Sequence, residues 1–487
     1  MTGNLCRRSV DVRTSSYPSR HRLLPEGHIV VTGAAGDFIS IRKRRLSMAR
    51  TKNAVLVESA IQRSGGIAAL TRVLNPSLEG FAVARSMTFD SASPRANVKE
   101  KREPYAHALS LVNDHITVKE EVIEEARAAY TGIATLLAEE LKVRQQDIKI
   151  FPQGSASTRT LIRTVGNRNF DIDAVCEVDI SAAEAKDPMA FFEAVGAALK
   201  GKDAQRKRRC WTVNFAGKPY YVEFTPSVPL ASVALSAKQK DSLERKEHQF
   251  LDTALAVVDT PSKSWKTSNP AGIRDWVNRA AERHIVVQEL VKACESIQAS
   301  IEPVGTQSVE VEETLRVAIR LFKRHRDMCV HRGHLESEYQ PISIILVTLL
   351  TTCYEGLADL LQQSAIPPFP HVVDALIAIA NLLPEMIPKY PDGHYYLDNP
   401  TVVDENFAER WNTDADQRAE AFRTWCTILR DDLQKIVAQT DPAKITTTTL
   451  EVFGCQSAAS PKGGNGNPGL DMVPPTPKAA PVTSGLA

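Results

Sequence analysis

Apolar and polar side chains alternate along most of the segment NFDIDAVCEVDI, residues 169–180. Alternation with a period of two is typical of a β-strand that has one apolar face. The opposite face carries Asp171 and Asp173, whose Cα atoms lie about 7 Å apart in an extended chain. Two carboxylates at that distance repel each other unless a cation lies between them, and hard oxygen ligands suit Mg²⁺. The pattern favours a cation site on this strand, although a DxD pair is also typical of an ordinary solvated strand.

Upstream of this strand the apolar positions have a helical period. They recur within residues 117–142, at Val122, Ala126, Ile133, Leu137 and Leu141. Thr117 and Glu120 fit the T-x-x-E capping box, which satisfies free backbone N–H groups at a helix start. We predict a long amphipathic helix capped by Thr117, followed by a strand over DIKIF, residues 147–151.

The predicted strand runs into the turn FPQGSASTRT, residues 151–160. A glycine between a strand and a helix lets the backbone approach a ligand, and the helix N-terminus offers unpaired N–H groups to an anion. Ser155 and Thr158 add hydroxyl donors, and the residues after the turn are compatible with a helix. The turn favours a phosphate ligand, although a Gly-Ser pair alone is also typical of ordinary turns.

A third strand is predicted over KPYYVEFTPSVPL, residues 218–230. Glu223 shares a face with Tyr221 and Thr225, and we expect Pro226 to end the strand. A carboxylate from this neighbouring strand would complete a cage for two metal ions about 4 Å apart, which activate a hydroxyl and stabilise departing pyrophosphate.

The flanking regions differ in character. Residues 265–453 are almost wholly helical in pattern, and their run ISIILVTLL, residues 342–350, is read as a core helix because it is too short to cross a bilayer. Residues 456–487 are rich in Pro, Gly, Ser and Ala, which predicts a disordered tail. Residues 30–40 imitate a dinucleotide-binding turn without its following helix and acid, and residues 58–80 resemble half of a helix-turn-helix.

The composition narrows the class of protein to which this chain can belong. The chain has 487 residues, of which 43% are hydrophobic and 24% charged, and its net charge is +1. This length and composition are typical of a soluble protein with two or three domains. The small net charge provides no global electrostatic field that would attract nucleic acid or an anionic membrane. The eight cysteines include no CxxC pair, and no secretory signal is evident, so we expect a cytoplasmic protein with free thiols.

Several motifs in a fixed order carry a resemblance to a known family. PQGSASTRT, FDIDAV and VEFTP resemble the nucleotidyltransferase core of DNA polymerase beta-like enzymes. More narrowly, the chain resembles the bacterial CD-NTases of CBASS anti-phage systems, relatives of animal cyclic GMP-AMP synthase and oligoadenylate synthetase. The resemblance spans about residues 110 to 430 through the further stretches ITVKEEVIEEARAAY, WKTSNPAGIRDWV, LRVAIRLFKRHRD, QPISIILVTLL and LDNPTVVDENFAERW.

The resemblance implies an α/β (α+β) fold, with a mixed-sheet polymerase beta-like nucleotidyltransferase lobe and a C-terminal helical lobe. The expected divisions are an N-terminal extension over 1–105, poorly defined and disordered in part, the nucleotidyltransferase core over 106–264, the helical domain over 265–455 and the tail over 456–487.

The resemblance also implies a site. The phosphate-holding turn matches Gln153, Gly154, Ser155 and Thr158. The acids that bind two Mg²⁺ ions, with Mn²⁺ as a substitute, match Asp171, Asp173 and Glu223. The donor triphosphate is held from the helical lobe by residues that match Lys323 and Ser343. Glu223 departs from the family pattern, in which Asp is commoner, but its longer side chain would still reach a metal ion.

The implied activity is the synthesis of a cyclic di- or trinucleotide second messenger from nucleoside triphosphates, which activates an effector in anti-phage defence. Implied partners are a ubiquitin-transfer-like conjugating protein at the tail or a HORMA-type regulator, without membrane or nucleic acid. Transfer of a nucleotide to RNA, protein or a small molecule remains an alternative, as does a non-catalytic nucleotide sensor.

Three further features have ordinary explanations. His325, Cys329, His331 and His334 lie close in sequence, but no second ligand cluster accompanies them to suggest zinc. The basic stretch over residues 206–209 is typical of a solvated connection, with contact to RNA or DNA as the alternative. Trp265 and Trp276 are expected to pack where the lobes meet, with base stacking as the alternative.

Overall fold

The computed structural model describes residues 29–32, 38–41, 50–71, 92–142, 144, 147–166, 169–181, 184–236, 239–241, 244, 250–286, 309–310 and 313–455. The chain divides into a unit over Met1–Ala49 and a unit over Arg50–Ala487. In the first unit, strands β1 (Ile29–Thr32) and β2 (Phe38–Ile41) pair antiparallel. The glycines of the dinucleotide-like turn, within residues 33–37, lie outside the described residues.

A mixed sheet forms the centre of one lobe of the second unit. Its core has the strand order β3–β4–β7–β6–β5, and β8 pairs with both β7 and β9. Strands β4 and β7 are parallel, whereas the other neighbours are antiparallel. The strands are β3 (Ile148–Pro152), β4 (Phe170–Val178), β5 (Ala204–Arg206), β6 (Trp211–Asn214), β7 (Tyr220–Pro229), β8 (Leu255–Asp259) and β9 (Ser264–Ser268). The predicted mixed sheet and the strands at DIKIF and FDIDAV are confirmed.

Pro226 does not end its strand, so this prediction was wrong. Strand β7 continues to Pro229, pairing with β6 up to Phe224 and with β8 from Ser227 onward. Pro226 lies between these two ladders, where its missing N–H group costs neither neighbour a hydrogen bond. One long strand can therefore carry two successive antiparallel partners on the same edge.

The long amphipathic helix is present, but its start differs from the prediction. Helix α3 covers Glu120–Glu140, and its N-cap is Lys119, which makes no side-chain capping bond. Thr117 Oγ1 instead donates to Asn113 O at 2.7 Å and accepts a bond from Arg320. The capping box was wrong because Thr117 bonds backward to the preceding helix, α2 (Ala92–Ile116). Helix α3 packs on the sheet with α5 (Pro188–Ala198).

The second lobe is helical, as predicted. It contains α6 (Pro270–Ala281), α7 (Thr314–His331), α8 (Ser343–Gln362), α9 (Val372–Leu382), α10 (Gln417–Val437) and α11 (Pro442–Val452). Among the described residues, α8 alone is long and apolar enough to cross a membrane by length and composition, and 83% of its most apolar window is buried inside the protein. A largely buried apolar helix is what a protein core requires, so the prediction of a core helix in this segment is confirmed.

Part of the predicted N-terminal extension packs into this helical core. Helix α1 (Lys52–Arg63) lies against α8, where Val57 and the backbone of Asn53 contact Gly356. Arg102, in α2, forms two hydrogen bonds of 2.7 and 2.8 Å with Asp374, and both side chains are buried. The predicted boundary at residue 106 therefore falls inside a helix whose residues on both sides contribute to the core. Residues 72–91, where a second helix of the helix-turn-helix would fall, lie outside the described residues.

Candidate active site

The Gly-Ser turn is fixed against strand β4. Gly154 has a φ of +58°, and a Cβ atom built on it would lie 2.5 Å from Asp173 Oδ2. The Gln153 N–H donates to Asp173 O at 2.9 Å, and the buried Gln153 side chain donates to Thr225 Oγ1 at 3.1 Å. Only glycine fits both the backbone conformation and the close approach of the carboxylate.

The expected helix after this turn is only one turn long. Helix α4 covers Gly154–Ser157, and Arg159, with a φ of +59°, leads the chain out of it. The prediction of a longer helix was wrong beyond Ser157, because the left-handed conformation at Arg159 cannot continue a right-handed helix. The Thr158 hydroxyl contacts Thr160 Oγ1 at 2.8 Å and is buried. The half-buried Ser155 hydroxyl makes no hydrogen bond within the described part of the chain, so it can donate to a ligand.

The three predicted acids lie on adjacent parallel strands. Asp173 in β4 is directly opposite Glu223 in β7, and Asp171 is opposite Tyr221. Glu223 is buried, and its carboxylate accepts hydrogen bonds from Thr212 Oγ1 at 3.2 Å and from Cys210 Sγ at 3.4 Å. The third acid is therefore oriented by residues of β6 and of the turn before it.

The pKa values of Asp173 and Glu223 are both raised. Burial first, and then the charges of Asp171 and Glu223, raise the pKa of Asp173 well above its ordinary value. Burial and Asp171 likewise raise the pKa of Glu223. Burial and the same three carboxylates raise the pKa of Tyr221 as well. Such shifts mark an accumulation of negative charge that Lys323 and Lys207 offset only in part.

This donor set fits divalent cations in its chemistry. Carboxylate oxygens are the ligands that Mg²⁺ prefers, and a bound cation would relieve the repulsion among the acids. As placed, however, no three His, Cys, Asp or Glu side chains of the described residues stand close enough to hold one ion together. The bonds from Thr212 and Cys210 account for this, since they hold Glu223 on the β6 side of the acids. Asp171, Asp173 and Glu223 therefore remain the predicted metal ligands.

Lys323 reaches the Gly-Ser segment from the helical lobe. It lies in α7, is buried, and its Nζ donates to Thr160 O at 3.1 Å. Burial, and then repulsion from Arg326, lower the pKa of Lys323 to about 8, against the attraction of Asp171 and Asp173. A buried lysine near carboxylates and a phosphate-favouring turn is a strong candidate for a phosphate contact.

Ser343 begins helix α8 close to the same point. Its hydroxyl accepts a hydrogen bond of 3.3 Å from Arg326, which also donates to Pro341 O at 2.8 Å and to Asp327 Oδ1 at 2.6 Å. Arg326 thus orients the serine and the loop before it. The sequence interpretation overlooked Arg326, although its position three residues after Lys323 on one helix face is a usable signal.

One cavity joins most of the predicted site. It has a volume of about 130 Å³ and lies between the sheet lobe and helices α6, α7 and α8. Of the predicted residues, those that line it are Gly154, Ser155, Thr158, Asp171, Asp173, Lys323 and Ser343. Gln153 and Glu223 lie outside its lining, the first bonded to Thr225 and the second to Thr212 and Cys210. The chain thus brings together seven residues from segments up to 189 positions apart in sequence, the separation of Gly154 and Ser343.

The remaining candidates have structural roles. His325 is buried between Asp432 and Trp425, with hydrogen bonds of 3.1 Å to each. Trp276 is buried and donates to Glu355, whereas the half-buried Trp265 donates to Ala185 O and packs on Phe191. Both tryptophans pack, but Trp265 does so within the sheet lobe and Trp276 within the helical lobe, so the expectation that they lie where the lobes meet was wrong.

Parts of this chain match a protein-family model and a known synthase. Residues 148–225 match the family model of the cyclic GMP-AMP synthase DncV-like nucleotidyltransferase domain. A c-di-GMP synthase of Roseivirga ehrenbergii is 24% identical over 271 residues, which are 54% of this chain and 61% of that protein. The match thus spans less than two thirds of that relative's length.

Two solved structures are similar over most of their length. The CD-NTase CdnG of Bradyrhizobium diazoefficiens, in complex with GTP, has a TM-score of 0.46 and 16% identity, covering 71% of this chain and 97% of its own. CdnC of Escherichia coli MS115-1, with ATP, has a TM-score of 0.46 and 12% identity, covering 73% and 98%.

The segment that carries β3, the Gly-Ser turn, the three acids and most of β7 is therefore a nucleotidyltransferase domain. Within that class, the segment matches the cyclic GMP-AMP synthase DncV-like type. This confirms the resemblance predicted from the order of the motifs.

Proposed function

We propose that this chain is a divalent-metal-dependent nucleotidyltransferase that joins nucleoside triphosphates into a cyclic di- or trinucleotide and releases pyrophosphate. The observation that carries the proposal is the single cavity in which Asp171 and Asp173 face the Gly-Ser turn, Lys323 and Ser343. The DncV-like domain and the c-di-GMP synthase relative support a cyclic product.

The donor nucleotide would bind by its phosphates. The free hydroxyl of Ser155 and the ammonium of Lys323 would contact the triphosphate, because an ammonium supplies a point charge to phosphate oxygens. Ser343, oriented by Arg326, would add a hydroxyl donor from the helical lobe. These contacts would hold the α-phosphate beside the acids. The entropic cost of aligning the reacting groups would then arise on binding and not in the chemical step.

The acids would hold two Mg²⁺ ions, with Mn²⁺ as a substitute. Bound ions lower the pKa of an attacking ribose hydroxyl and neutralise the departing pyrophosphate. The chain's own contribution is to keep Asp171, Asp173 and Glu223 on adjacent strands and to fix Glu223 through Thr212 and Cys210. Repetition of the transfer and ring closure would complete the product.

We also propose, from the family resemblance, that the product acts as a second messenger in anti-phage defence inside the cell. A HORMA-type regulator, or a conjugating partner acting on residues 456–487, would fit that role. Mass spectrometry of the protein produced together with its neighbouring genes tests the second partner, and an unmodified Ala487 throughout would contradict conjugation.

Product analysis tests the activity directly. Purified protein is incubated with labelled ATP, GTP, CTP and UTP in Mg²⁺ or Mn²⁺, and the products are treated with phosphatase. We expect a phosphatase-resistant cyclic product from nucleoside triphosphates alone. Labelled product that phosphatase attacks, or that forms only when RNA, protein or a small acceptor is added, would favour the alternative transfer reaction instead.

A further inference from the structure

Basic side chains outside the cavity join distant segments of the chain. In the stretch over residues 206–209, Arg208 and Arg209 both bond Asp259 Oδ1, at 2.8 and 3.2 Å. This stretch is therefore a fixed part of the sheet lobe and not the solvated connection that the sequence favoured. Arg324 joins segments that lie still further apart, and it follows Lys323 directly in α7.

The guanidinium of Arg324 caps the last helix. Helix α11 ends at Val452, and Gly454, with a φ of +61°, turns the chain out of it. Arg324 is buried, and it donates to Phe453 O and to Gly454 O, at 2.8 Å each. The last carbonyl groups of a helix have no partner within it and carry partial negative charge. A guanidinium at this place therefore supplies both hydrogen bonds and a favourable charge.

The same guanidinium holds the segment that follows the Gly-Ser turn. Its Nη1 donates to Arg163 O at 3.3 Å. Three residues earlier in that segment, Thr160 O accepts the bond from Lys323 Nζ. Leu161 and Ile162, which lie between the two carbonyl groups, line the cavity. Two consecutive residues of α7 therefore bond the two ends of a four-residue stretch of the cavity wall, residues 160–163.

The end of α11 is itself packed against α7. A Cβ atom built on Gly454 would overlap the side chain of Met328, which lies one helical turn after Arg324. The carbonyl groups that Arg324 bonds are thus fixed relative to the helix that carries Lys323. A lysine has a flexible four-carbon stem, so its ammonium is held at one point only if both its helix and its acceptor are fixed.

We propose that Arg324 is a positioning residue, which holds the Lys323 ammonium where the donor phosphates would bind. This inference rests on the proposed function, because that function makes Lys323 a phosphate contact. Arg324 is not among the residues that line the cavity, and the bonds described above are all to carbonyl groups. Its effect on a bound phosphate therefore passes through Lys323 and the stretch over residues 160–163.

A double-mutant cycle tests whether Arg324 acts through Lys323. Binding of inorganic tripolyphosphate is measured by calorimetry, in EDTA at neutral pH, for the full-length wild type, Lys323→Met, Arg324→Met and the double variant. We expect each single variant to bind about 10-fold more weakly, as for loss of a charged hydrogen bond. The double variant should bind no more weakly than Lys323→Met, because Arg324 then has no ammonium to position. Additive losses would overturn the proposal.

Gly454→Val tests the same support without removing a charge. The added side chain meets Met328, so it displaces the carbonyl groups that Arg324 bonds. Gly393→Val is the matched control, because Gly393 has a φ of +82° but no atom within 4 Å of its built Cβ. Both variants strain a left-handed backbone, but only Gly454→Val should weaken tripolyphosphate binding, by about 10-fold. Equal affinities in the two variants would contradict the proposal, and this comparison decides it even if Arg324→Met does not fold.

Product assays distinguish failure of this inference from failure of the proposed function. A wild type that makes no product from nucleoside triphosphates contradicts the proposed function, whereas the binding cycle still decides whether Arg324 acts through Lys323. A wild type that binds no tripolyphosphate, or binds it as well as Lys323→Met does, overturns the inference. In both cases Lys323 holds no phosphate, and Arg324 has nothing to position.

Discussion

Asp173 packs directly against the backbone of Gly154, so closely that a Cβ atom on the glycine would lie 2.5 Å from Asp173 Oδ2. The contact joins the phosphate-favouring turn to an acid that lies 19 positions after Gly154 in the sequence. It therefore sets the distance between the place where phosphate would bind and the place where cations would bind.

Substitution of Gly154 tests that contact. Gly154→Ala strains the left-handed backbone by about 1–2 kcal/mol and also displaces the Asp173 carboxylate. We expect product formation to fall about 100-fold, the usual effect of misplacing a reacting group by an ångström. Gly166→Ala is the matched control, because Gly166 has a φ of +75° but no atom within 4 Å of its built Cβ. Gly166→Ala should lose as much stability as Gly154→Ala but keep its activity. Equal losses of activity in the two variants would contradict the placement of Gly154 in the active site.

The catalytic role of Asp171 and Asp173 in β4 can be tested with a third acid of the same strand as the control. Asp171→Asn with Asp173→Asn should abolish product formation, because the amides remove the charge that would hold the cations. Glu177→Gln is the control, since Glu177 lies on the same strand but pairs with exposed Lys149 at 3.0 Å. Radiolabelled product formation measures both. Activity that survives in the double variant would refute an enzymatic role for these carboxylates.

Lys323 should make nucleotide binding dependent on pH. Because burial lowers its pKa to about 8, the free protein loses this positive charge as pH rises through that value. We expect ATP affinity to weaken by up to about 10-fold between pH 7 and pH 9, with bound nucleotide shifting the midpoint upward because the anion favours the charged lysine. Lys323→Met should bind ATP weakly and with a flat profile over this range. A steep profile in Lys323→Met would assign the pH dependence to another group.

The buried pair of Arg102 and Asp374 should contribute strongly to stability. Asp374→Ala removes the carboxylate that accepts two hydrogen bonds from the buried Arg102 guanidinium, and it should lower the free energy of unfolding by about 3–5 kcal/mol in urea denaturation. The double variant Arg102→Met with Asp374→Leu should recover much of that loss. Arg144 and Asp147 form an exposed pair with a similar bond of 2.7 Å, so Asp147→Ala should have little effect.

The same pair predicts the effect of truncation. Removal of residues 1–105 deletes both Arg102 and helix α1, which covers part of α8. The truncated protein should unfold at a lower urea concentration than the full chain, or fail to fold. An unchanged midpoint would show that the N-terminal segment is dispensable for the helical lobe.

Local patterns predicted the sheet lobe well. The alternation around Asp171 and Asp173 placed a strand correctly because period-two burial is a property of adjacent residues. The Gly-Ser turn was located for the same reason. Errors arose where a distant residue competed for a local bond: Thr117 accepts from Arg320, more than 200 positions away, and does not cap α3.

Other features depend on tertiary contacts that no window of sequence contains. Pro226 lies inside a strand because β6 and β8 divide one edge of β7 between them. Lys323 meets Thr160 only because the helical lobe folds back onto the sheet lobe. The resemblance of the motifs to a known family predicted Lys323 and Ser343 as site residues. Composition and periodicity alone would have indicated ordinary helix residues at both positions.

The cavity that joins the Gly-Ser turn to Lys323 has a volume of about 130 Å³, whereas pockets that enclose a drug-sized ligand measure about 300–1,000 Å³. A nucleoside triphosphate bound wholly within this cavity would require the walls formed by α7, α8 and the sheet to move apart. If the proposed synthesis takes place here, each round would include an opening and a reclosing of this gap, and the slower of these movements would set a ceiling on turnover.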